Sequence, residues 1–296
     1  MTEPSSASPG PTLPEGDGRT DASVVTQFFL LPLAVVAGLV GIFLLYTLAT
    51  RQPPTARDHL RTLQSGRFNQ RWQAAFELSN LLREGKDWRR DPALLRDVAA
   101  IFRSEAVHPN RDPRVRRYLA LTLGNSDSRE AVPPLLEALH DDDSETRLYA
   151  TWGLARLAAP EAEPLFQDGL SDNDPSIRSV SAYGLGLLPG VPDMAPLKRA
   201  LADPTEEVRW NAALALARKG DSTGEPVLIK MLDRRYLDRF SSMELEEKSA
   251  TILNAMRALK YLRTKGLADN ILHLSQSDSD PRVRKAAQAW VEEMKY

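Results

Sequence analysis

The sequence predicts an all-α protein: an α-solenoid (superhelix) of stacked antiparallel helix pairs, preceded by a single transmembrane helix. Three observations carry this. One phrase recurs: Asp112-Pro-Arg-Val-Arg116, Asp143-Ser-Glu-Thr-Arg147, Asp174-Pro-Ser-Ile-Arg178 and Thr205-Glu-Glu-Val-Arg209, with 147−116, 178−147 and 209−178 all equal to 31. A second track, Leu139, Leu170, Leu201 and Leu232, keeps the same step of 31. A fixed period of this size marks a solenoid. Finally, residues 24–49 carry no charged side chain, and about 20 apolar residues suffice to span a bilayer as a helix.

Taken in order, residues 1–23 form an acidic tail with Glu3, Glu15, Asp17 and Asp21 against Arg19. It has little apolar surface to bury and is expected to be disordered. Residues 24–50 follow as the expected membrane helix. The acidic start and the long apolar run argue against a cleaved signal peptide. Ala34, Ala37, Gly38 and Gly41 share one face, a spacing that permits close helix contact or simply reflects membrane composition. Positive charge follows the run (Arg51, Arg57, Arg61 and Arg67), so the tail is expected outside and the repeats inside a bacterial inner membrane. Residues 51–67 read as a linker and first short helix, and 68–296 as the repeat domain.

Each repeat reads as two helices. The first has apolar residues four apart, Leu135 with Leu139, Phe166 with Leu170, Leu197 with Leu201 and Leu228 with Leu232, hence on one face. Proline stands near its start at Pro133, Pro164, Pro196 and Pro226, where a missing N–H costs little. The second opens on Asp-Pro, an N-cap followed by a residue with pre-set φ. Small residues and a leucine come next: Ala150, Gly153, Leu154; Ala182, Gly184, Leu185; Ala212, Ala213, Leu216. Such residues let paired helices approach closely, and one pair alone cannot bury its apolar face, so repeats must stack. Arg71 opens an earlier repeat, and 116−71 gives 45, an insertion of 14 over the 31-residue step. The step widens again to Lys248 (39), with extra residues near 233–240, and to Arg284 (36).

The Asp-Pro-x-Val/Ile-Arg phrases followed by an Ala/Gly-Leu run resemble the HEAT-repeat family, in particular the bacterial phycobilisome-lyase-like repeats, over about residues 60–296. The resemblance implies an Asp–Arg hydrogen-bonded ladder between repeats, falling here on Asp112, Asp143, Asp174 and Asp280 with Arg116, Arg147, Arg178, Arg209 and Arg284. Thr205 stands where aspartate is expected, and is itself a fair cap.

Little in the chain points to catalysis. With no cysteine, disulfides, thiolate zinc sites and thiol nucleophiles are excluded. A formal charge of −2 speaks against a generic nucleic-acid binder. The four histidines, His59, His108, His140 and His273, form no i, i+4 pair. His140 beside Asp141, Asp142 and Asp143 lies in a turn where aspartates serve as caps. Gly85-Lys86 lacks the rest of a P-loop, and no Gly-x-Ser-x-Gly elbow occurs. No enzyme activity, cofactor or metal is expected.

The remaining signal is surface. Second helices line the concave face of such a solenoid, where these proteins bind. Counted from the ladder arginine, positions +2 and +5 hold Tyr118, Tyr149, Trp152 and Tyr183; Trp72 and Trp210 stand at +1 and Phe76 at +5. Aromatic side chains are favoured at interfaces, although the same rings could fill space between repeats. A basic cluster, Arg89, Arg90, Arg96, Arg103, Arg111, Arg114, Arg116 and Arg117, could meet anionic lipid or simply be solvated and laddered. The expectation is a membrane-anchored scaffold binding a protein partner on its concave face, as an accessory subunit of a membrane complex. The alternatives are a phycobilin-lyase-like or cofactor-chaperone protein, which the resemblance implies, and a helical-repeat nucleic-acid binder, which the aspartate in each turn opposes.

Overall fold

The computed structural model describes residues 30–50, 54–84, 91–108, 112–190 and 193–293, all in helices and turns. The chain forms two compact units, Met1–Pro54 and Thr55–Tyr296.

In the first unit, helix α1 runs Leu31–Thr50 for 20 residues without a charge in either end turn. Leu33, Ile42, Phe43 and Leu45 on it are 64–69% exposed. At 1.5 Å per residue the helix is about 30 Å long, and the stretch 30–47, over which side chains are placed, about 27 Å. That stretch falls short of the ~30 Å hydrocarbon core, and among the described residues no helix is long and apolar enough to cross a membrane. The expected span over 24–50 is therefore not supported by them. Its residues 24–29 lie outside the described residues, as do the acidic tail 1–23 and the linker residues 51–53.

The second unit begins at Thr55. Its first helices are α2 (Ala56–Ser65), α4 (Pro92–Ala106), α6 (Val132–Ala138), α8 (Glu163–Gly169), α10 (Ala195–Ala200), α12 (Glu225–Met231) and α15 (Ala268–Ser277). Its second helices are α3 (Phe68–Glu84), α5 (Pro113–Asn125), α7 (Ser144–Arg156), α9 (Pro175–Leu187), α11 (Glu206–Arg218), α14 (Leu245–Leu262) and α16 (Pro281–Glu293), with a one-turn helix α13 (Arg234–Leu237) between α12 and α14. Each second helix from α3 to α14 packs on the next one, which makes the unit a helical-repeat solenoid. The first short helix is part of it: Leu60 and Leu63 of α2 are buried, and α2 packs on α3. The repeat unit therefore starts at Thr55 rather than at 68.

Local chemistry sets the helix starts. Asp112, Asp143, Asp174 and Asp280 accept the backbone N–H of Arg114, Thr146, Ser176 and Arg282, each cap worth roughly 1 kcal/mol. Thr205 departs from expectation. Its side chain makes no cap bond and instead accepts from Arg178 Nη2 at 3.3 Å.

Packing follows from residue size. Leu135, Leu154, Phe166, Leu185, Leu197 and Leu228 are completely buried. Gly124 of α5 faces Gly153 of α7 so closely that a Cβ on Gly153 would lie 2.7 Å from the Gly124 Cα. The small residues of the second helices thus set their separation. The apolar core is continuous from Ala56 to Leu216; a second cluster runs from Trp210 to Trp290.

Candidate functional site

The arginine that opens each second helix is a clamp between turns. Arg178 Nη1 donates to the carbonyls of Asp172 (2.9 Å) and Asn173 (3.2 Å) in its own turn. Its Nε and Nη2 donate to both oxygens of Asp203 in the next, at 2.9 and 3.1 Å. Arg116 Nε donates to Asp141 Oδ2 at 2.6 Å and its Nη1 to the Phe102 carbonyl at 2.6 Å, with the guanidinium 4.1 Å from the Phe102 ring. Arg147, Arg209 and Arg284 hold carbonyls of their own turns in the same way. Arg71 bonds the Leu63 carbonyl at 2.9 Å and pairs with Glu105.

The expected ladder therefore needs correcting. The cap aspartates Asp112, Asp174 and Asp280 hold their own helices, and Asp112 and Asp280 also bond Arg114 and Arg282. The acidic rungs are Asp141 and Asp203, two residues ahead of the cap. Asp141, Asp172, Asp203 and Asp278 also brace their own turns, because each Oδ1 accepts the N–H of the residue two further on, at 2.8–2.9 Å. Asp278 is bonded at both oxygens by Arg234. Arg234 comes from the insertion, so the expected Lys248 is not the clamp there; it pairs with Asp238.

Asp143 bridges repeats with a different arginine. Arg117 reaches both of its oxygens, at 2.7 and 2.6 Å. That bond, opposed by burial and helped by Thr146, holds the Asp143 carboxyl at about 2 against an ordinary 3.8. A depressed folded value means the stabilisation is complete above about pH 4 and is lost as pH falls toward 2. Asp143→Asn is expected to lower stability by about 2 kcal/mol at neutral pH and to flatten the loss of thermal stability between pH 4 and 2. Parallel acid profiles for the two proteins would show that the Arg117 bond contributes nothing.

The aromatic residues divide. Tyr118, Tyr149, Trp152 and Tyr183 lie half-buried on α5, α7 and α9, and Trp72 on α3; Phe76 is 38% exposed. They also join repeats. Phe76 meets Tyr118 edge-on at 5.2 Å, and Arg114 and Arg218 lie over the Trp72 and Tyr183 rings at 4.6 and 5.4 Å. Trp210 is a correction: it is 6% exposed and packs edge-to-face on Phe240 and Tyr236 at 5.4 and 6.4 Å. The insertion after α12 needs an apolar seat, and Trp210 supplies it. Trp72, Phe76 and Tyr118 border a cavity of about 720 Å³. A second cavity of about 470 Å³ lies where α9, α11 and α14 meet the insertion.

The basic cluster is largely neutralised. Arg96, Arg103, Arg114, Arg116 and Arg117 pair with Glu130, Glu137, Asp112, Asp141 and Asp143. Arg89, Arg90 and Arg111 lie outside the described residues. The described arginines thus give no free cationic face for anionic lipid. Among the described residues, no group of three or more His, Asp or Glu could hold a metal ion.

HEAT repeats match residues 102–186 and 132–205, and the phycobilisome-lyase HEAT-like repeat matches 208–234. Among curated proteins, none matches the chain. The complex of CpcE and CpcF of phycocyanin lyase from Nostoc sp. PCC7120 is similar in structure at 20% identity, covering 83% of this chain and 90% of that one with a TM-score of 0.54. A designed armadillo repeat protein in complex with the peptide (KR)4 aligns at 16% identity over 69% of this chain and 99% of its own, TM-score 0.47. An engineered protein aligns at 19% over 72% and 98%, also at 0.47. At these identities the likeness is one of fold.

Proposed function

We propose that this HEAT-repeat solenoid is a non-catalytic scaffold that holds a protein partner on its inner face and is tethered to a membrane through residues 24–50. One observation carries the groove. Tyr118, Leu121, Leu148, Tyr149, Trp152, Val180 and Tyr183 all lie half-buried on adjacent second helices. A row of rings and aliphatic side chains partly open to solvent is what an interface core is made of. The tether is supported by the exposed apolar side chains around α1 and by its 20 uncharged residues. A helix apolar on all sides needs either a protein core or a bilayer around it. The flanking arginines place the repeats on the cytoplasmic side of a bacterial inner membrane.

The test is capture of the full chain from bacterial membranes in an uncharged detergent, compared with a Trp152→Ala/Tyr183→Ala variant. The chain is expected to sediment with the membranes and to retain one dominant protein. The variant is expected to lose that protein at least tenfold while melting within a few degrees of the wild type. Equal capture by both removes the groove from the reading. Recovery of the chain without membranes removes the tether. A co-purifying visible chromophore would favour the lyase-like reading that the 208–234 match suggests.

A further inference from the structure

We infer that the cavity where α11 and α14 meet the insertion receives a basic side chain, arginine or lysine, carried by the partner segment. This rests on the groove reading above and gives its carboxyl-terminal end a chemistry. The cavity, about 470 Å³, is lined by Leu214, Met231, Met243 and the edge of Trp210, with Glu207 and Glu247 as its charged residues and no Lys, Arg or His among the lining residues.

The nearby cations are committed elsewhere. Arg209 bonds Glu206 and the carbonyls of its own turn. Lys248 pairs with Asp238, and Arg234 with Asp278. Arg218 lies over Tyr183 and Arg239 over Tyr236. Arg257 donates to Asn254 Oδ1. Glu206 is occupied as well, accepting from Tyr236 Oη at 3.1 Å. Glu247 gives Oε2 to the Glu244 N–H, which fixes the carboxylate's position. Two carboxylates therefore border an apolar floor without a cation beside them.

A lysine or arginine matches this arrangement in both halves. Its methylene stem covers Leu214 and Met243 while its head bonds the carboxylates. An acidic side chain meets like charge, and an apolar one strips water from the carboxylates without replacing it. Asn211 adds a backbone contact. Its Nδ2 is fixed on Ser179 Oγ at 2.9 Å, so its amide oxygen can accept an N–H from an extended segment.

The experiment follows methionine methyl groups by NMR in the isotope-labelled full chain, held in uncharged detergent. The probes are the N-acetyl methylamides of arginine and lysine, with those of glutamate and leucine as controls. Arginine and lysine are expected to give saturable shifts at Met231 and Met243 and none at Met194. Glutamate and leucine are expected to be silent. In Glu207→Gln/Glu247→Gln the arginine affinity is expected to fall at least tenfold; glutamine retains the capping role at 247, and an unchanged melt will confirm the fold. Equal response to the glutamate probe, no response at either methionine, or an undiminished response in the variant would overturn the proposal. If it falls while the Trp152/Tyr183 variant still loses its partner, only the charged end of the groove has failed. If the probes bind as expected but capture ignores Trp152 and Tyr183, the groove reading has failed instead.

Discussion

Arg116→Ala is expected to destabilise the amino-terminal repeats by about 3–5 kcal/mol, the range for breaking a buried ion pair from one side. The Arg116 and Asp141 side chains are 6% and 3% exposed. Alanine would take the guanidinium from Asp141, a hydrogen bond from the Phe102 carbonyl and the stacked plane from the Phe102 ring together. The desolvated charge at Asp141 dominates the loss, so Arg116→Met, which keeps an apolar stem over Phe102, is expected to fare little better. Adding Asp141→Asn to Arg116→Met should recover part of the deficit, because the buried charge is then gone as well. Urea denaturation gives the sizes. Hydrogen exchange gives the place: amides of α4 and α5 should exchange faster while those of α15 and α16 keep wild-type rates, since a repeat contacts only its neighbours. Uniform acceleration along the chain, or a loss under about 1 kcal/mol, would contradict the clamp.

Phe166→Ala is the second large effect, expected at about 3–5 kcal/mol. Phe166 has no exposed surface, and its ring lies where a Cβ on Gly184 would sit 2.9 Å away. The ring fills the space that Gly184 leaves, so truncation opens a cavity between α8 and α9. The reverse change tests the same contact. Gly184→Ala should cost about 1–3 kcal/mol by overpacking, despite alanine's better helix propensity. Combined with Phe166→Leu, it should cost less than the sum. Strict additivity in the double variant would mean that the two residues do not share one space.

Much of the architecture was legible because its causes are short-range. The helix faces follow from apolar residues four apart, and the caps from an aspartate two or three residues before the N–H it accepts. The ladder was harder. The arginines were visible, but their partners were assigned to the cap aspartates, since those stand in the recurring phrase. The true rungs left a signal too: Asp141, Asp172 and Asp203 are spaced by 172−141 = 31 and 203−172 = 31. Arg234 left none, because it comes from an insertion outside the period. Trp210 was misplaced for the same reason: its fate was set by Tyr236 and Phe240, which no other repeat possesses.

By itself, then, the sequence determined that this chain stacks helix pairs, where each second helix begins, and which side chains share its inner face. The tertiary structure decided which charges meet. Asp143 takes Arg117, Asp203 takes Arg178, Asp278 takes Arg234, and the arginines read as a basic patch are spent on carboxylates. The physical reason is range. A helix and its cap are closed by bonds over two to four residues, which composition and spacing specify. An ion pair spanning 203−178 = 25 or 278−234 = 44 residues depends on how one turn settles against the next, and only stacked backbones fix that.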